Sequence, residues 1–238
     1  MYFEHAPAIW NAFPALVPGI LLVEGIHPHA DVAPRLAPLF ARARTRLAGV
    51  SEADLPEVQA WRRAFSQMGL KPTQYRSAAE ALLRRFRKED ALPALHPLVD
   101  LCNAISLAAA LPVAVIDLDQ VTDWIVVRYA DGDERSLAFD GAAEHPEPGE
   151  VIFADAAREV HARRWTFRQS RRSTVSAATR RALIVSEGLH ATARPDVAAL
   201  LDLLAAELST AGFQPSHATI LTAALPRWEL GASEASRV

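Results

Sequence analysis

The sequence predicts an α+β fold, one domain in which helices pack on the faces of β-sheet. Three observations lead there. Stretches with helical apolar spacing fill the chain to about residue 110, and short strands punctuated by turns fill most of the rest. Half of the 238 residues are apolar and 22% are charged, which supports a sizeable core and excludes disorder of the whole chain. No repeat and no clear linker divides it, so it reads as one domain over 1–211 with a partly flexible extension over 212–238.

The elements follow in order. Ile20 to Val23 is apolar and bounded by proline and glycine, which predicts a short buried strand. Asp31 to Leu47 has helical spacing, with Pro34 in its first turn, Pro38 as a perturbation and Gly49 as its close. Ser51 caps a second helix whose apolar face is Leu55, Val58, Trp61, Phe65 and Met68, ended by Gly69. The stretch from Lys71 opens a third helix, in which Ser77 and Glu80 have capping-box spacing. Leu98 to Ala110 is a fourth helix, apolar enough to be mostly buried. After Pro112, strands are expected over 113–116, 124–129, 135–139, 151–153, 160–167 and 182–186. Asp131-Gly-Asp signals a hairpin and Glu147-Pro-Gly a turn. Val197 to Leu208 is a last amphipathic helix, and the polar end beyond Gly212 is expected to fray.

Composition also excludes function classes. No run of about 18 apolar residues is present, so no transmembrane helix is expected. The start, Met1-Tyr-Phe-Glu-His, lacks a basic then apolar leader, which reads as no secretory signal. Cys102 is the only cysteine, which excludes an internal disulfide framework and a multi-thiolate zinc site. A cytoplasmic protein is expected. The formal charge is -3, so charge alone predicts no affinity for nucleic acid. Of the 25 basic residues, 23 are arginine. Eight of these fall between Arg158 and Arg181, where Glu159 is the only acid, and that local surplus is a candidate anion site.

Walker, dinucleotide-binding, Gly-x-Ser-x-Gly and His-Glu-x-x-His patterns are all missing. His27 and His29 form a metal pair without a third ligand nearby and read as a loop. His96 reads as a helix-start residue, Cys102 as packing, and Asp117 and Asp119 as turn residues; no metal and no cofactor is expected. A strand through His161 to Arg168 would alternate Arg163, Trp165 and Phe167 with Arg164, Thr166 and Arg168. Two readings fit that pattern. One is a surface that holds phosphate with arginine and stacks a ring on indole; the other is a core strand with a solvated basic face. Glu187 ends an apolar run and is either a desolvated ligand-binding carboxylate or a strand-end surface acid. Asn103 lies in the buried helix, and a buried amide needs partners, from a ligand or from helix packing.

Six separated blocks then carry a resemblance, in order: Lys71-Pro-Thr-Gln-Tyr-Arg-Ser, His96-Pro-Leu-Val-Asp-Leu-Cys-Asn, Leu111-Pro-Val-Ala-Val-Ile-Asp-Leu-Asp, Pro148-Gly-Glu-Val-Ile-Phe-Ala-Asp, Arg164-Trp-Thr-Phe-Arg-Gln-Ser and Leu183-Ile-Val-Ser-Glu-Gly-Leu. Over roughly 15–205 the chain resembles the B3/B4 domain of the phenylalanyl-tRNA synthetase beta subunit, above all its freestanding versions. The resemblance implies two β-layers with helices against them. It also implies hydrolysis of a wrong amino acid, typically tyrosine, from tRNA by a positioned water without a conventional triad, and a tRNA acceptor end as partner. A chain this short holds no synthetase core. By resemblance Asn103, Gln169 and Glu187 line the amino-acid pocket, and Lys71, Tyr75, Arg76, Arg164, Trp165 and Arg168 hold the tRNA. One departure stands out. The pocket histidine of the synthetase domain falls on Ala114, so the contacts of an imidazole are missing there. The runner-up function is a non-catalytic module that binds tRNA or an aminoacyl-like ligand.

Overall fold

The computed structural model of the chain describes residues 1–230. In order they form β1 (Tyr2–His5), α1 (Pro7–Ala12), β2 (Val17–Glu24), α2 (Ala33–Leu47), α3 (Pro56–Gln67), α4 (Ala78–Glu89), α5 (Pro97–Ala109), β3 (Val113–Asp117), β4 (Trp124–Tyr129), β5 (Ser136–Leu137), β6 (Ala143–Glu144), β7 (Val151–Ala154), β8 (Val160–Arg163), β9 (Arg168–Gln169), β10 (Ala182–Gly188), α6 (Ala193–Thr210), β11 (Gln214–Ile220) and β12 (Arg227–Glu229). The α+β class is as expected. The chain divides into two compact units, both discontinuous in sequence. Unit 1 comprises Met1–Pro14, Gln120–Ser173 and the described residues from Leu221 onward; unit 2 comprises Ala15–Asp119 and Thr174–Ile220. No helix among the described residues is long and apolar enough to cross a membrane.

Unit 2 is built on a four-stranded antiparallel sheet ordered β11-β2-β10-β3. The register sets Leu21 against Ile184 and Ile184 against Val115, so these side chains share one face. That face packs on α5 and α6 through Leu101, Ile105, Val197, Leu201 and Leu204. The helices follow the apolar spacing of the sequence. Pro34 lies in the first turn of α2 and Pro38 inside it. Ser51 caps a short 3-10 turn, Glu52–Asp54, and α3 then starts at Pro56, whose missing N–H costs nothing at a helix start. Ser77 Oγ accepts the Glu80 N–H at 3.3 Å and opens α4. The third helix therefore starts at Ala78, not at Lys71; the Lys71 carbonyl instead accepts the N–H groups of Gln74 and Tyr75 in a turn. A second apolar cluster joins Val58 of α3, Leu83 and Phe86 of α4, and Leu107 of α5.

Unit 1 holds a six-stranded sheet ordered β12-β1-β4-β7-β8-β9, in which β1 and β4 run parallel and the other pairs antiparallel. Three features differ from the sequence expectation. The strand expected over 160–167 ends at Arg163, because Arg164 and Trp165 both adopt left-handed conformations (φ 46° and 60°). The reversal seats the Trp165 indole in the core against Phe13, with ring centroids 4.8 Å apart, and the Trp165 backbone N–H donates to the Val151 carbonyl at 2.7 Å. Burying that ring outweighs the cost of positive φ at two ordinary residues. The strand expected over 135–139 shrinks to Ser136–Leu137. The segment from 212 carries β11, which pairs with β2, and β12, which pairs with β1; the rest of the extension, 231–238, lies outside the described residues.

Candidate functional site

Glu187 sits near the end of β10 and is only 2% exposed. Its neighbours Ser186 and Gly188 belong to the face covered by α6, where a Cβ at Gly188 would meet the Ala193 Cβ at 2.8 Å. By alternation Glu187 shares the opposite face with Leu183 and Val185. The register sets Val185 against Ala114 of β3 and Glu187 against Pro18 of β2. Ala114 is thus the diagonal neighbour of Glu187 on one face, a spacing of about 7–8 Å in a pleated sheet. The Glu187 carbonyl accepts the indole N–H of Trp61, which reaches over from α3 at 3.3 Å. A buried carboxylate, a small side chain and a proline therefore converge at one sheet face.

Asn103 is not brought to that face. It lies on α5, in the helix layer that covers the other side of the sheet, where it is half-buried and its amide makes no hydrogen bond among the described residues. Gln169 belongs to unit 1, where its Nε2 donates to the Ser173 carbonyl at 3.3 Å. Lys71 is exposed and has no ion pair among the described residues. Tyr75 accepts from Gln74 at 3.4 Å, and Arg76 lies 3.5 Å from Glu80, which Arg62 also holds at 2.6 Å.

The arginine surplus of unit 1 is largely met by acids from earlier in the chain. Arg163 is buried and donates to both oxygens of Glu150 at 2.9 Å and to Glu144 at 2.8 Å. Burial lowers its pKa, but the hydrogen bonds and charge of Glu150 and Glu144 raise it by more, so the balance lies above the usual arginine value. Arg168 pairs with Glu144 at 3.3 Å, and Arg164 approaches Glu150 at 3.7 Å while its N–H donates to the same carboxylate. Arg158 pairs with Asp131 at 2.9 Å and with Asp133, and Arg135 pairs with Glu159 at 2.7 Å. The expected alternation of cation and aromatic along one strand is replaced by this network. Trp165, expected at a binding surface, is 1% exposed.

These acids escaped the sequence reading because the count of charges ran only from 158 to 181. The signal was the turn at Glu147-Pro-Gly before an apolar strand. β7 pairs antiparallel with β8, which sets the preceding Glu150 beside the end of β8. Cys102 is buried as packing, and burial pushes its thiol well above the ordinary range. His96 caps α5 with Nδ1, accepting the Leu98 N–H at 3.2 Å, and burial lowers its pKa.

A family model described as the B3/4 domain matches residues 60–199, more than half of the chain. No curated protein matches. Among solved structures, the chain is similar to an N-terminal fragment of the phenylalanyl-tRNA synthetase beta subunit from Pyrococcus horikoshii, at 11% identity and a TM-score of 0.48. That similarity covers 90% of this chain and 49% of the fragment, so the chain spans about half of the fragment's length. The residues matched by the family model include Asn103, Ala114, Arg164 and Glu187, and the chain belongs to the B3/4 domain family.

Proposed function

We propose that the protein binds the aminoacylated end of a tRNA and hydrolyses the ester that holds a wrongly attached amino acid. Family membership supports the tRNA association, and the buried Glu187 carboxylate facing Ala114 and Pro18 is the observation that carries the pocket. Water would add to the ester carbonyl, and the bond to the ribose oxygen would break. That oxygen takes the proton released by the water, leaving free amino acid and intact tRNA. Positioning of the water and of the ester supplies most of such catalysis. Glu187 would read the side chain of the amino acid. A site built to pair a polar group rejects an analogue that leaves it unpaired by up to about 10⁴–10⁵-fold. Lys71, Arg164 and Arg168 would contact phosphate, the two arginines by exchanging part of their carboxylate pairing for it.

One observation favours the second reading, a module that binds such an end without turnover. Ala114 presents no imidazole to the face that carries Glu187. Deacylation of a panel of mischarged tRNAs separates the two. The expected result is turnover of one amino-acid class, with Glu187→Ala redirecting or abolishing it at nearly unchanged tRNA affinity. Equal loss for every substrate would remove Glu187 as the reader. Tight tRNA binding without turnover of any pair would leave the binding module.

A further inference from the structure

A second constellation in unit 2 involves none of the residues assigned above. Glu57 in the first turn of α3, His190 in the turn after β10 and Asp196 in the first turn of α6 each offer one ligand atom, and these atoms lie within 4.8 Å of one another. Glu57 and His190 are each only 6% exposed. His190 Nε2 lies 2.8 Å from Asp196 Oδ2, and Thr192 Oγ1 donates to that oxygen at 2.6 Å. Arg46 pairs with Glu57 Oε1.

Two atoms of the group have no account within the protein. Glu57 Oε2 and His190 Nδ1 are both buried, and neither has a hydrogen-bond partner. His190 faces Asp196 with Nε2, the nitrogen it would offer an ion there, so the open Glu57 Oε2 is the atom that calls for a partner outside the chain: a buried carboxylate oxygen left open is costly. The Oε2 lone pairs accept only a proton donor or a cation.

We propose that Glu57, His190 and Asp196 form a binding site for a divalent transition-metal ion of the zinc class. One imidazole with two carboxylates is a mixed nitrogen and oxygen set, which suits zinc and its neighbours; magnesium and calcium prefer all-oxygen sets. In a tetrahedral site bonds of 2.0–2.2 Å set two ligand atoms about 3.3–3.6 Å apart, so the triad closes by little more than about an ångström at its widest. Thr192 on Asp196 and Arg46 on Glu57 are the outer partners that hold the ligands in place. Three protein ligands leave a fourth position for water in a tetrahedral site. The ion would tie α3 to the corner between β10 and α6. Glu57 lies one helical turn before Trp61, whose indole holds the Glu187 carbonyl, so the ion would brace the element that borders the candidate pocket. The sequence hides this site, because its ligands stand 133 and 6 residues apart and match no short metal motif.

The test uses the full chain, stripped with a chelator and dialysed against micromolar zinc. About one zinc per chain is expected by elemental analysis, together with a raised melting temperature. Glu57→Gln and Asp196→Asn preserve shape and should each reduce bound zinc at least tenfold while circular dichroism stays native. A hundredfold excess of magnesium should not displace the ion. No zinc above the dialysis background would overturn the site. So would wild-type zinc content in both variants, which would put the ion elsewhere, and displacement by magnesium would overturn the zinc-class assignment.

Discussion

Arginines of very different standing share one dense run of sequence, and burial with pairing separates them. Arg163 is enclosed by Glu144 and Glu150, so its charge is spent inside unit 1. Lys71 is exposed and has no ion pair among the described residues, so its charge is available to phosphate. The two should fail in different ways. Arg163→Ala takes the bidentate partner from Glu150, leaving it the Arg164 N–H and a 3.7 Å approach of the Arg164 guanidinium, and is expected to cost about 2–3 kcal/mol, read as a shift of the denaturant midpoint. Lys71→Ala should leave stability within about 0.5 kcal/mol. It should flatten the dependence of log K on log salt for tRNA by about 0.7–0.9, the counterion release of one phosphate contact. If Arg163→Ala instead changed the salt slope at unaltered stability, the internal role assigned to Arg163 would be wrong.

At the scale of the element, the tightest fit is where β2 and β10 meet α6. A Cβ at Gly188 would lie 2.8 Å from the Ala193 Cβ and 3.3 Å from Val197, and one at Gly19 would lie 2.5 Å from Val197. The Ala193 Cβ is fixed to the helix backbone, so Gly188→Ala must move α6 as a body. That should cost about 1–3 kcal/mol in thermal or denaturant unfolding. An unchanged midpoint would mean that α6 slides freely on the sheet. The same scale explains what the sequence disclosed. β4 is legible to the residue because Trp124 to Tyr129 combines aromatic and β-branched residues between turns. The helices α2, α3, α4 and α5 declare themselves through apolar spacing, proline starts and serine caps. By contrast β1, α1, β11 and β12 are short or polar, and they exist through pairing with distant strands, as Phe3 does with Ile125 and Trp228. The turn at Arg164 and Trp165 was hidden because local alternation favours a strand while a distant contact, the ring of Phe13, decides the conformation. Glu187 and Ala114 were legible as candidates by resemblance, but their shared face depends on the β10 and β3 register, which no local pattern encodes.

For the whole molecule, the near balance of 25 basic and 28 acidic residues conceals how many of those charges are committed to one another, and acid should expose it. Glu134 is buried, and burial alone would raise its carboxyl. The N–H groups of Asp131 and Gly132 and the Arg128 guanidinium, 2.6 Å away, outweigh that and hold it at about 2, against an ordinary value of 4.5. Asp155 follows the same pattern. Burial raises its carboxyl, and His161 with the N–H groups of Thr122 and Glu159 lowers it below the usual range. Below the ordinary carboxylate range the unfolded chain binds protons that these folded groups refuse, so stability falls as pH falls. The Glu134 contribution is complete above about pH 5 and disappears as pH drops toward 2; it is on the order of 3 kcal/mol. His96 adds in the same direction at milder acidity. Burial holds its pKa below the ordinary 6.5, so the unfolded chain gains the imidazole proton first and stability declines from about pH 7 downward. Equilibrium unfolding in urea between pH 8 and pH 3 should therefore show a shallow loss near pH 6 and a steeper one below pH 4.5. Glu134→Gln should remove most of the steeper loss by lowering stability at neutral pH instead. A profile flat down to pH 3 in the wild type would mean that the Arg128–Glu134 contact does not persist in solution.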